Sequence, residues 1–414
     1  MIPEGYFPED VMKKFALVSV ALPPSQSGQS IVLYHLLKTL KPEDYCLITL
    51  RNFHLYNYLE SCSTRLPVRY YFLNPDYQFM RLLVKAASLV SARPILSLAL
   101  KIRVSQIKKI LQKEHIQVVI GCTGDLFDPP AAFLAARVLG IPFILYGFDY
   151  YSHQWTTKVT KSFAEEYERE ILLGAKHIIV PNECMAGEYF RRYGVRPVVI
   201  HNPFDMEEYE KNISTQKDGI VSRTEIPDKV RIVYTGAVYD AHFTAFQNLI
   251  AAIPKTGIPN LKLHIYTPQS AGMLHTKGIS GPVEIHKPRP NHEMPDIQKS
   301  ADILFLPLGF NSPYPEIIRT SSPGKIGEYL ATKKPVLVHA PADSFIAWFF
   351  LKNHCGEVVS ECDPDTLAQS IVRLLRDESY RQELIRNAFR LAQDDFDVKS
   401  ARTRILNLIE EPSS

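Results

Sequence analysis

The residues best suited to chemistry are a lysine and a glutamate three positions apart, Lys325 and Glu328, in the stretch SSPGKIGEYLATKKPVLV. Three positions along a helix place two side chains on nearly the same face. An ammonium group can bind a phosphate, and a carboxylate beside it can accept hydrogen bonds from the hydroxyls of a ribose. A solvent-exposed ion pair at the start of a helix is the alternative interpretation.

The turn before this pair consists of small and polar residues, 321–324. Pro323 suits the first turn of a helix, and the free N–H groups at a helix start attract anions such as a diphosphate. We therefore expect Ser322 and Gly324 to bind the same ligand as Lys325. The helix should end near Lys333.

Two other loops could bring backbone N–H groups close to a phosphate or a sugar. Ser27 and Gly28 precede a helical pattern, and Thr235 and Gly236 close an apolar run. Glycine permits a close approach of the backbone to a ligand, but it is equally common in ordinary tight turns. Neither loop has the GxGxxG or Walker pattern, so each remains a weak signal by itself.

The elements that must position these loops alternate between short β-branched runs and helical patterns, which predicts parallel sheets with crossover helices. We expect strands at 15–22, 45–51, 68–73, 117–121, 142–146, 177–181 and 198–201, then at 231–235, 261–266, 283–286, 303–307, 335–339 and 357–360. The polar stretch 204–228 separates the two series. The pattern predicts two doubly wound, Rossmann-like α/β domains, with ligands at the carboxyl ends of the strands.

Composition is that of an ordinary globular protein: 414 residues, 46% hydrophobic, 22% charged and a formal net charge of +3. The charge is unevenly distributed, because no acidic residue lies between Asp76 and Glu114. That segment carries +8, and the rest of the chain therefore carries −5. The basic residues are Arg81, Lys85, Arg93, Lys101, Arg103, Lys108, Lys109 and Lys113.

Apolar residues recur at helical spacing through this basic segment, and Pro94 should divide it into two amphipathic helices. Such helices could rest on anionic lipid headgroups or bind an anionic acceptor. Alternatively, they cover the sheet of the first domain and show their basic side chains to water.

The six cysteines show no CxxC pairing, which argues against zinc ribbons and disulfide frameworks and favours a reducing cytoplasm. The apolar run at 15–22 follows two lysines but lacks a cleavage site, so we expect a buried strand and no signal peptide. No apolar stretch reaches the roughly 20 residues of a membrane span. We expect a cytoplasmic protein that touches a membrane only at its surface.

The stretch at 321–338 resembles the S-x-P-x-K-x-x-E-Y-L-A-x-x-K-P-V motif of nucleotide-sugar glycosyltransferases with the GT-B fold, especially the family 4 type that builds bacterial surface polysaccharides. Further similar stretches occur in the same order: IPFILYGFDYYSHQW at 141–155, GAKHIIVPNECMAGEYFRRYG at 174–194, VIHNPFD at 199–205, IVYTGAV at 232–238 and SADILFLPL at 300–308. The resemblance covers nearly the whole chain.

This resemblance implies an acceptor-binding domain at 1–205, a donor-binding domain at 206–395 facing it across a cleft, and a helix at 396–414 that crosses back to the first domain. It implies transfer of a hexosyl group from a nucleotide diphosphate sugar to a glycan or lipid-linked acceptor, with retention and without a metal or other cofactor. Glu328 would bind the donor ribose, and Lys325 would neutralise the departing diphosphate. No nucleic-acid partner is expected.

The sequence departs from the family pattern in three places. Thr320 stands where the family has the first of two glutamates eight positions apart, which leaves Glu316 and Arg319 as nearby candidates for the donor sugar. The usual Arg and Lys after the glycine at 236 are absent, so Lys325 must carry the phosphate charge, with Arg289 or Arg319 in support.

The third departure concerns the loop after the strand at 142–146, where the family often has a histidine or an aspartate. Asp149 is the candidate catalytic residue there, positioned to orient a hydroxyl or accept a proton; a turn or a helix cap is the alternative. Asp125, Asp128 and Asp363 each precede a helical pattern, and we expect caps at these positions.

Two other functions fit the same architecture. A nucleotide-sugar 2-epimerase would release free nucleotide and an altered sugar without an acceptor. A non-catalytic scaffold would be consistent with Thr320 and with the missing basic pair. Binding and slow hydrolysis of nucleotide sugars would discriminate among the three.

Overall fold

A computed structural model of the chain describes residues 12–25, 27–51, 65–89, 93–211 and 228–412. The chain forms two compact units. The first comprises the described residues of Met1–Pro181, Met185–Val199 and Arg402–Ser414, and the second those of Asn182–Cys184 and Ile200–Ala401. Apart from the short helix Met206–Lys211, most of the polar stretch predicted to separate the domains lies outside the described residues.

In its described part, the first unit contains a seven-stranded parallel sheet with the order β3-β2-β1-β4-β5-β6-β7. The strands are β1 Phe15–Val18, β2 Tyr45–Thr49, β3 Tyr70–Phe72, β4 Val118–Cys122, β5 Phe143–Tyr146, β6 His177–Val180 and β7 Val198–Val199. Leu17 of β1 pairs with Leu47 on one side and Ile120 on the other. The order reverses at β1, and such a switch point opens a crevice at the carboxyl ends of the strands.

The described helices of this unit include α1 Gly28–Leu37, α2 Tyr77–Leu89, α3 Arg93–Lys113, α4 Asp128–Leu139, α5 Lys158–Gly174 and α6 Glu183–Tyr193, and a short 3₁₀ helix at Tyr151–Gln154. Residues typical of helix ends mark two of them. Pro94 stands in the first turn of α3, and Gly140 ends α4 in the left-handed region at φ +65°. Asp125 accepts hydrogen bonds from the N–H groups of Phe127 and Asp128 in the turn before α4, but the N-cap residue is Phe127 and no side chain caps the helix, so the predicted caps at Asp125 and Asp128 are wrong.

The second unit contains a six-stranded parallel sheet within the described residues, in the order β10-β9-β8-β11-β12-β13. The strands are β8 Val230–Thr235, β9 Leu261–Tyr266, β10 Val283–His286, β11 Ile303–Pro307, β12 Val336–His339 and β13 Glu357–Val359. Here the order reverses at β8, the strand that ends at Thr235. The two sheets confirm the predicted class of two Rossmann-like α/β units.

The remaining helices are α7 Met206–Lys211, α8 Phe243–Lys255, α9 Ala271–Thr276, α10 Met294–Lys299, α11 Pro315–Thr320, α12 Ile326–Ala331, α13 Phe345–Asn353, α14 Pro364–Arg376, α15 Glu378–Asp395 and α16 Val398–Glu410. Asp363 caps α14 by accepting a hydrogen bond from the N–H of Thr366. In the first unit, the Arg402 guanidinium of α16 donates to the carbonyls of His35 and Leu36 at the end of α1. Within the described ranges, no helix combines the length and apolarity that a bilayer crossing requires.

Candidate functional site

The carboxyl end of β8 and the start of α12 bring the lysine of the motif to the glycine of the loop. Gly236 has φ +128°, and the Lys325 ammonium nitrogen lies 2.7 Å from the position that a Cβ at Gly236 would occupy. The same nitrogen lies 3.8 Å from the centroid of the Tyr234 ring. A side chain at position 236 would displace the ammonium group, so glycine is required both for the backbone conformation and for this close approach.

The ammonium group of Lys325 is partly shielded from water. Burial lowers its pKa to about 7, and the nearby Glu328 carboxylate opposes that shift. His242 follows the same strand end, but burial and the Lys325 charge lower the pKa of this imidazole to about 3. His242 is therefore neutral at pH 7. It adds no positive charge in place of the basic pair that the loop lacks.

Glu328 lies in the first turn of α12, and its carboxylate is oriented from one side. Gln298 of α10 donates from Nε2 to Glu328 Oε2 at 2.8 Å. Tyr209 of α7 in turn donates its hydroxyl to Gln298 Oε1 at 2.7 Å. Burial raises the pKa of Glu328, while the hydrogen bond from Gln298 and the charge of Lys325 lower it.

Sequence reasoning missed both Gln298 and Tyr209. They lie 30 and 89 positions from their respective partners, and no local pattern connects them. The sequence offered no signal for them; the structure shows that Gln298 is fully buried a few residues before β11. A polar side chain in such a place requires hydrogen-bond partners.

Thr235 and Tyr329 join the strand to the helix. The backbone N–H of Thr235 donates to the Tyr329 hydroxyl at 3.0 Å, and Tyr329 is the neighbour of Glu328 in α12. Gln298 Nε2 also approaches Thr235 Oγ1 at 3.4 Å. Thr235, which was predicted to contact the ligand, is buried and hydrogen-bonds to residues that hold the site in place.

The turn before Lys325 is held by two asparagines. Asn182 donates to the carbonyl of Thr320 at 2.8 Å, and Asn202 donates to the carbonyl of Ser322 at 2.9 Å. Asn202 Oδ1 and Ser322 Oγ are buried and have no hydrogen-bond partner in the part of the chain that the structure describes. Unpaired buried polar atoms of this kind can take hydrogen bonds from a ligand.

The start of the motif helix differs from the prediction. The helix is Ile326–Ala331, so Pro323 precedes it instead of lying in its first turn, and Lys325 is the N-cap residue. Gly324 is exposed in the turn. A helix of six residues ends before Lys333, whose backbone has φ +59° and cannot continue the helix.

The two arginines proposed to support Lys325 have different surroundings. Arg289 lies in the loop after β10 and is exposed, with its guanidinium 3.9 Å from Glu293. Arg319 is partly buried at the end of α11. Thr320 follows it, with its hydroxyl donating to the carbonyl of Glu316.

In the first unit, the loop residues have partly structural roles. Ser27 is the N-cap of α1, where its hydroxyl accepts a hydrogen bond from the N–H of Ser30. Gly28 faces open space, since a Cβ there would meet no atom within 4 Å.

The loop after β5 contains the candidate catalytic residue Asp149. The Asp149 backbone N–H donates to Thr123 Oγ1 at 3.2 Å, and its side chain is exposed. The 3₁₀ helix Tyr151–Gln154 that follows Asp149 has Tyr150 as its N-cap residue and no side-chain cap, so the capping alternative for Asp149 is wrong.

The basic segment forms α2 and α3, and one of its residues was assigned wrongly. Arg103 is only 1% exposed, and its guanidinium donates to the carbonyl of Pro75. It therefore cannot meet an anionic surface. Arg93 pairs with Glu166, while Arg81, Lys85, Lys101 and Lys109 are exposed and Lys108 is partly exposed.

One set of side chains away from Lys325 has a composition that could hold a metal ion. His264, Glu284 and His286, on β9 and β10, place their ligand atoms within 4.8 Å of one another. These side chains already have protein partners, because the two imidazole nitrogens lie 3.1 Å apart and Lys262 pairs with Glu284 at 2.8 Å.

Two family models match the sequence. Glycosyltransferase Family 4 matches residues 27–208, and Glycosyl transferases group 1 matches residues 229–377. Together they cover about four fifths of the chain. A search of curated proteins by sequence finds no match.

Solved structures share the fold. A glycosyltransferase from Rickettsia africae aligns with a TM-score of 0.64 at 13% identity, over 96% of this chain and 98% of that chain. Anabaena HepE in complex with UDP and glucose aligns with a TM-score of 0.65 at 16% identity, over 96% of this chain and 99% of that one. A Listeria monocytogenes protein described as a candidate UDP-N-acetylglucosamine 2-epimerase gives 0.60 at 12% identity, over 97% and 96%.

The epimerase and the glycosyltransferases share the two-unit fold, so the fold alone does not separate these activities. The family models do, since both describe glycosyltransferases and one falls on each half of the chain. The chain is therefore a glycosyltransferase with the GT-B fold that resembles family 4, with the Glycosyltransferase Family 4 model on its first half and the Glycosyl transferases group 1 model on its second.

Proposed function

We propose that this glycosyltransferase takes its sugar from a nucleotide diphosphate sugar bound at the carboxyl end of β8. The observation that carries the proposal is the approach of the Lys325 ammonium to Gly236. It places a cation beside a backbone without a side chain, at the strand where the order of the sheet reverses. The complex of Anabaena HepE with UDP and glucose, a protein of the same fold, supports a donor of this class.

In this proposal, Lys325 and Glu328 bind adjacent parts of the nucleotide. The ammonium group of Lys325 neutralises the diphosphate, and Glu328 accepts hydrogen bonds from the ribose hydroxyls. When the bond between the sugar and the diphosphate breaks, negative charge grows on the departing oxygen, and a fixed cation stabilises that state most. Ser322 Oγ, buried and unpaired among the described residues, can donate a further hydrogen bond.

We propose that the remaining chemistry needs no metal and retains the anomeric configuration, as the family resemblance implies. The acceptor hydroxyl attacks the anomeric carbon from the same face that the diphosphate leaves, so the configuration is retained; the hydroxyl loses its proton and the diphosphate departs. Asp149, exposed after β5, orients that hydroxyl or receives its proton. Arg319 and Glu316, on α11, are the candidates for contacts with the transferred hexose.

The acceptor is proposed to be a glycan carried by a lipid diphosphate at the cytoplasmic face of a membrane, in polysaccharide biosynthesis. The support comes from α2 and α3, where large apolar side chains are exposed among basic ones. Leu82 is 67% exposed and Leu98 is 61% exposed; Phe79, Ile95 and Ile102 are exposed as well. Apolar and basic side chains together are typical of a helix surface that rests on anionic lipid.

The experiment is a binding and turnover screen on the full chain. Uridine, guanosine, adenosine and thymidine diphosphate sugars are tested by thermal shift, and the donor that binds is then followed for slow hydrolysis. We expect one nucleotide class to raise the melting temperature and its sugar to be released with the nucleoside diphosphate. Conversion of the sugar to its 2-epimer would favour the epimerase, and failure to bind any of the four would contradict the proposal.

A further inference from the structure

Gln298 links the proposed ribose-binding carboxylate to the body of the second unit. It is fully buried in α10, and all three of its described hydrogen bonds are made within this unit. Its Nε2 lies 2.8 Å from Glu328 Oε2 and 3.4 Å from Thr235 Oγ1. Its Oε1 lies 2.7 Å from the Tyr209 hydroxyl.

The direction of these bonds follows from the chemistry of the groups. The ionised Glu328 carboxylate can only accept hydrogen bonds, and burial raises the pKa of Tyr209 well above its ordinary value, so the protonated Tyr209 hydroxyl is free to donate to Gln298 Oε1. The opposite end of the amide is then the NH₂ group, and it must face Glu328. A carboxylate oxygen accepts this bond, which favours the ionised acid and fixes its rotation.

One oxygen of Glu328 is thereby engaged with the protein. Among the described residues, the structure shows no hydrogen bond to the second oxygen, Oε1. A carboxylate held in this way can receive the two hydroxyls of a ribose without reorienting, so less entropy is lost on binding. Without Gln298, the same carboxylate could rotate and would take up a proton more readily.

We propose that Gln298 is a positioning residue that makes the donor site selective for ribonucleotides by holding the Glu328 carboxylate in its hydrogen-bonding orientation. The proposal rests on the proposed function of Glu328. It concerns which nucleotide sugars the site accepts, and it predicts discrimination against a nucleotide that lacks a ribose hydroxyl.

The test measures dissociation constants by calorimetry on the full chain. The probes are the tightest-binding of uridine, guanosine and adenosine diphosphate, and its 2′-deoxy and 3′-deoxy forms. A hydrogen bond to a charged group corresponds to about tenfold to a hundredfold in affinity, so the natural chain should prefer the ribonucleotide by that factor. In Gln298→Leu the preference should fall to about threefold or less, with binding of the deoxy form nearly unchanged.

A double-mutant cycle separates positioning from a general structural effect. If Gln298 acts through Glu328, then Gln298→Leu combined with Glu328→Gln should bind no more weakly than Glu328→Gln alone. The exposed Gln247, which donates to the carbonyl of Lys277, provides the control variant Gln247→Leu, and this variant should keep the preference. Should Gln298→Leu fail to fold, Tyr209→Phe removes one hydroxyl only and should reduce the preference in the same direction.

A pH profile gives an independent readout. The bond from Gln298 lowers the pKa of Glu328, so its removal should move the acid limb of ribonucleotide binding to higher pH. If the natural chain binds no nucleoside diphosphate, the proposed function fails and this inference fails with it. Suppose instead that the natural chain binds and prefers the ribonucleotide. The positioning role alone is then overturned if Gln298→Leu keeps the full preference, or if the affinity lost in Gln298→Leu adds fully to the affinity lost in Glu328→Gln.

Discussion

A lysine that is partly buried against an aromatic ring holds its proton less firmly than a lysine in water. The Lys325 ammonium lies 3.8 Å from the centroid of Tyr234, whose π-face attracts a cation but replaces little of the lost hydration. The result is a pKa of about 7 in a site that is proposed to bind a diphosphate.

Lys325→Ala should reduce turnover by about tenfold to a thousandfold with saturating donor, because the charge that develops on the leaving diphosphate loses its fixed cation. The measurement is nucleotide release at several donor concentrations. Lys352→Ala is the matched control, since the Lys352 ammonium also lies over an aromatic ring, 4.6 Å from the centroid of Trp348. Near-normal turnover in Lys325→Ala would remove this residue from the mechanism.

Donor affinity should fall as the pH rises above about 7. Burial lowers the Lys325 pKa below its ordinary range, whereas a bound diphosphate raises it again by favouring the ammonium form. Binding between these two pKa values takes up a proton, so the affinity falls by up to about tenfold per pH unit. Calorimetry from pH 6 to 9, in buffers of different ionisation enthalpy, measures both quantities. Lys325→Met should bind weakly and without this proton uptake; constant affinity of the natural chain across pH 7–9 would contradict the assignment.

Single residues were predictable from the sequence only where a local pattern identifies them. Lys325 and Glu328 stand three positions apart in one motif, but Gln298 reaches Glu328 through space. Arg103 was assigned to the surface by its charge alone. It lies on the same face of α3 as the buried residues Leu96, Leu100, Ile107 and Leu111, so the helical spacing already indicated burial.

Among the elements, the junction of β8 and α12 decides whether Lys325 and the backbone can approach each other. Strands and helices were predictable because hydrophobic periodicity is local and the strands of a parallel sheet are buried on both faces. The start of α12 was not, since Pro323 signals a first turn but lies in the turn that Asn182 and Asn202 hold from outside the motif. Tertiary hydrogen bonds set that boundary.

Gly236→Ala should weaken donor binding by about tenfold or more, because its methyl group would stand 2.7 Å from the Lys325 nitrogen and displace the cation. Strain at φ +128° should also lower stability, and that effect must be separated from the loss of binding. Gly281→Ala is the control. Its φ of +107° is comparably strained, but the nearest atom, from Ile250, lies at an ordinary 3.7 Å. Calorimetry should show donor binding lost in the first variant and kept in the second; equal binding in both would contradict the role of Gly236.

The distribution of charge along the chain says more about binding partners than the net charge does, because a net charge of +3 is too small to steer a partner. The segment between Asp76 and Glu114 carries +8, and the structure shows that most of this charge lies at the surface of α2 and α3, while Arg103 is buried. Exposed leucines on the same helices add an apolar component. Charge and apolar exposure together indicate a lipid surface more strongly than either one alone.

The full chain should float with vesicles that contain anionic lipid at low salt, and should be released as salt shortens the reach of its basic side chains. Replacing Arg81, Lys85, Lys101 and Lys109 with Gln should abolish flotation, since each basic side chain near an anionic surface contributes about 1 kcal/mol. Leu82→Gln with Leu98→Gln should weaken the binding that remains at high salt. Leu351→Gln, at a leucine that is 54% exposed on α13, is the matched control and should float normally. If the natural chain does not float, or if the basic-residue variant floats equally well, then α2 and α3 do not bind the membrane and only cover the sheet of the first unit.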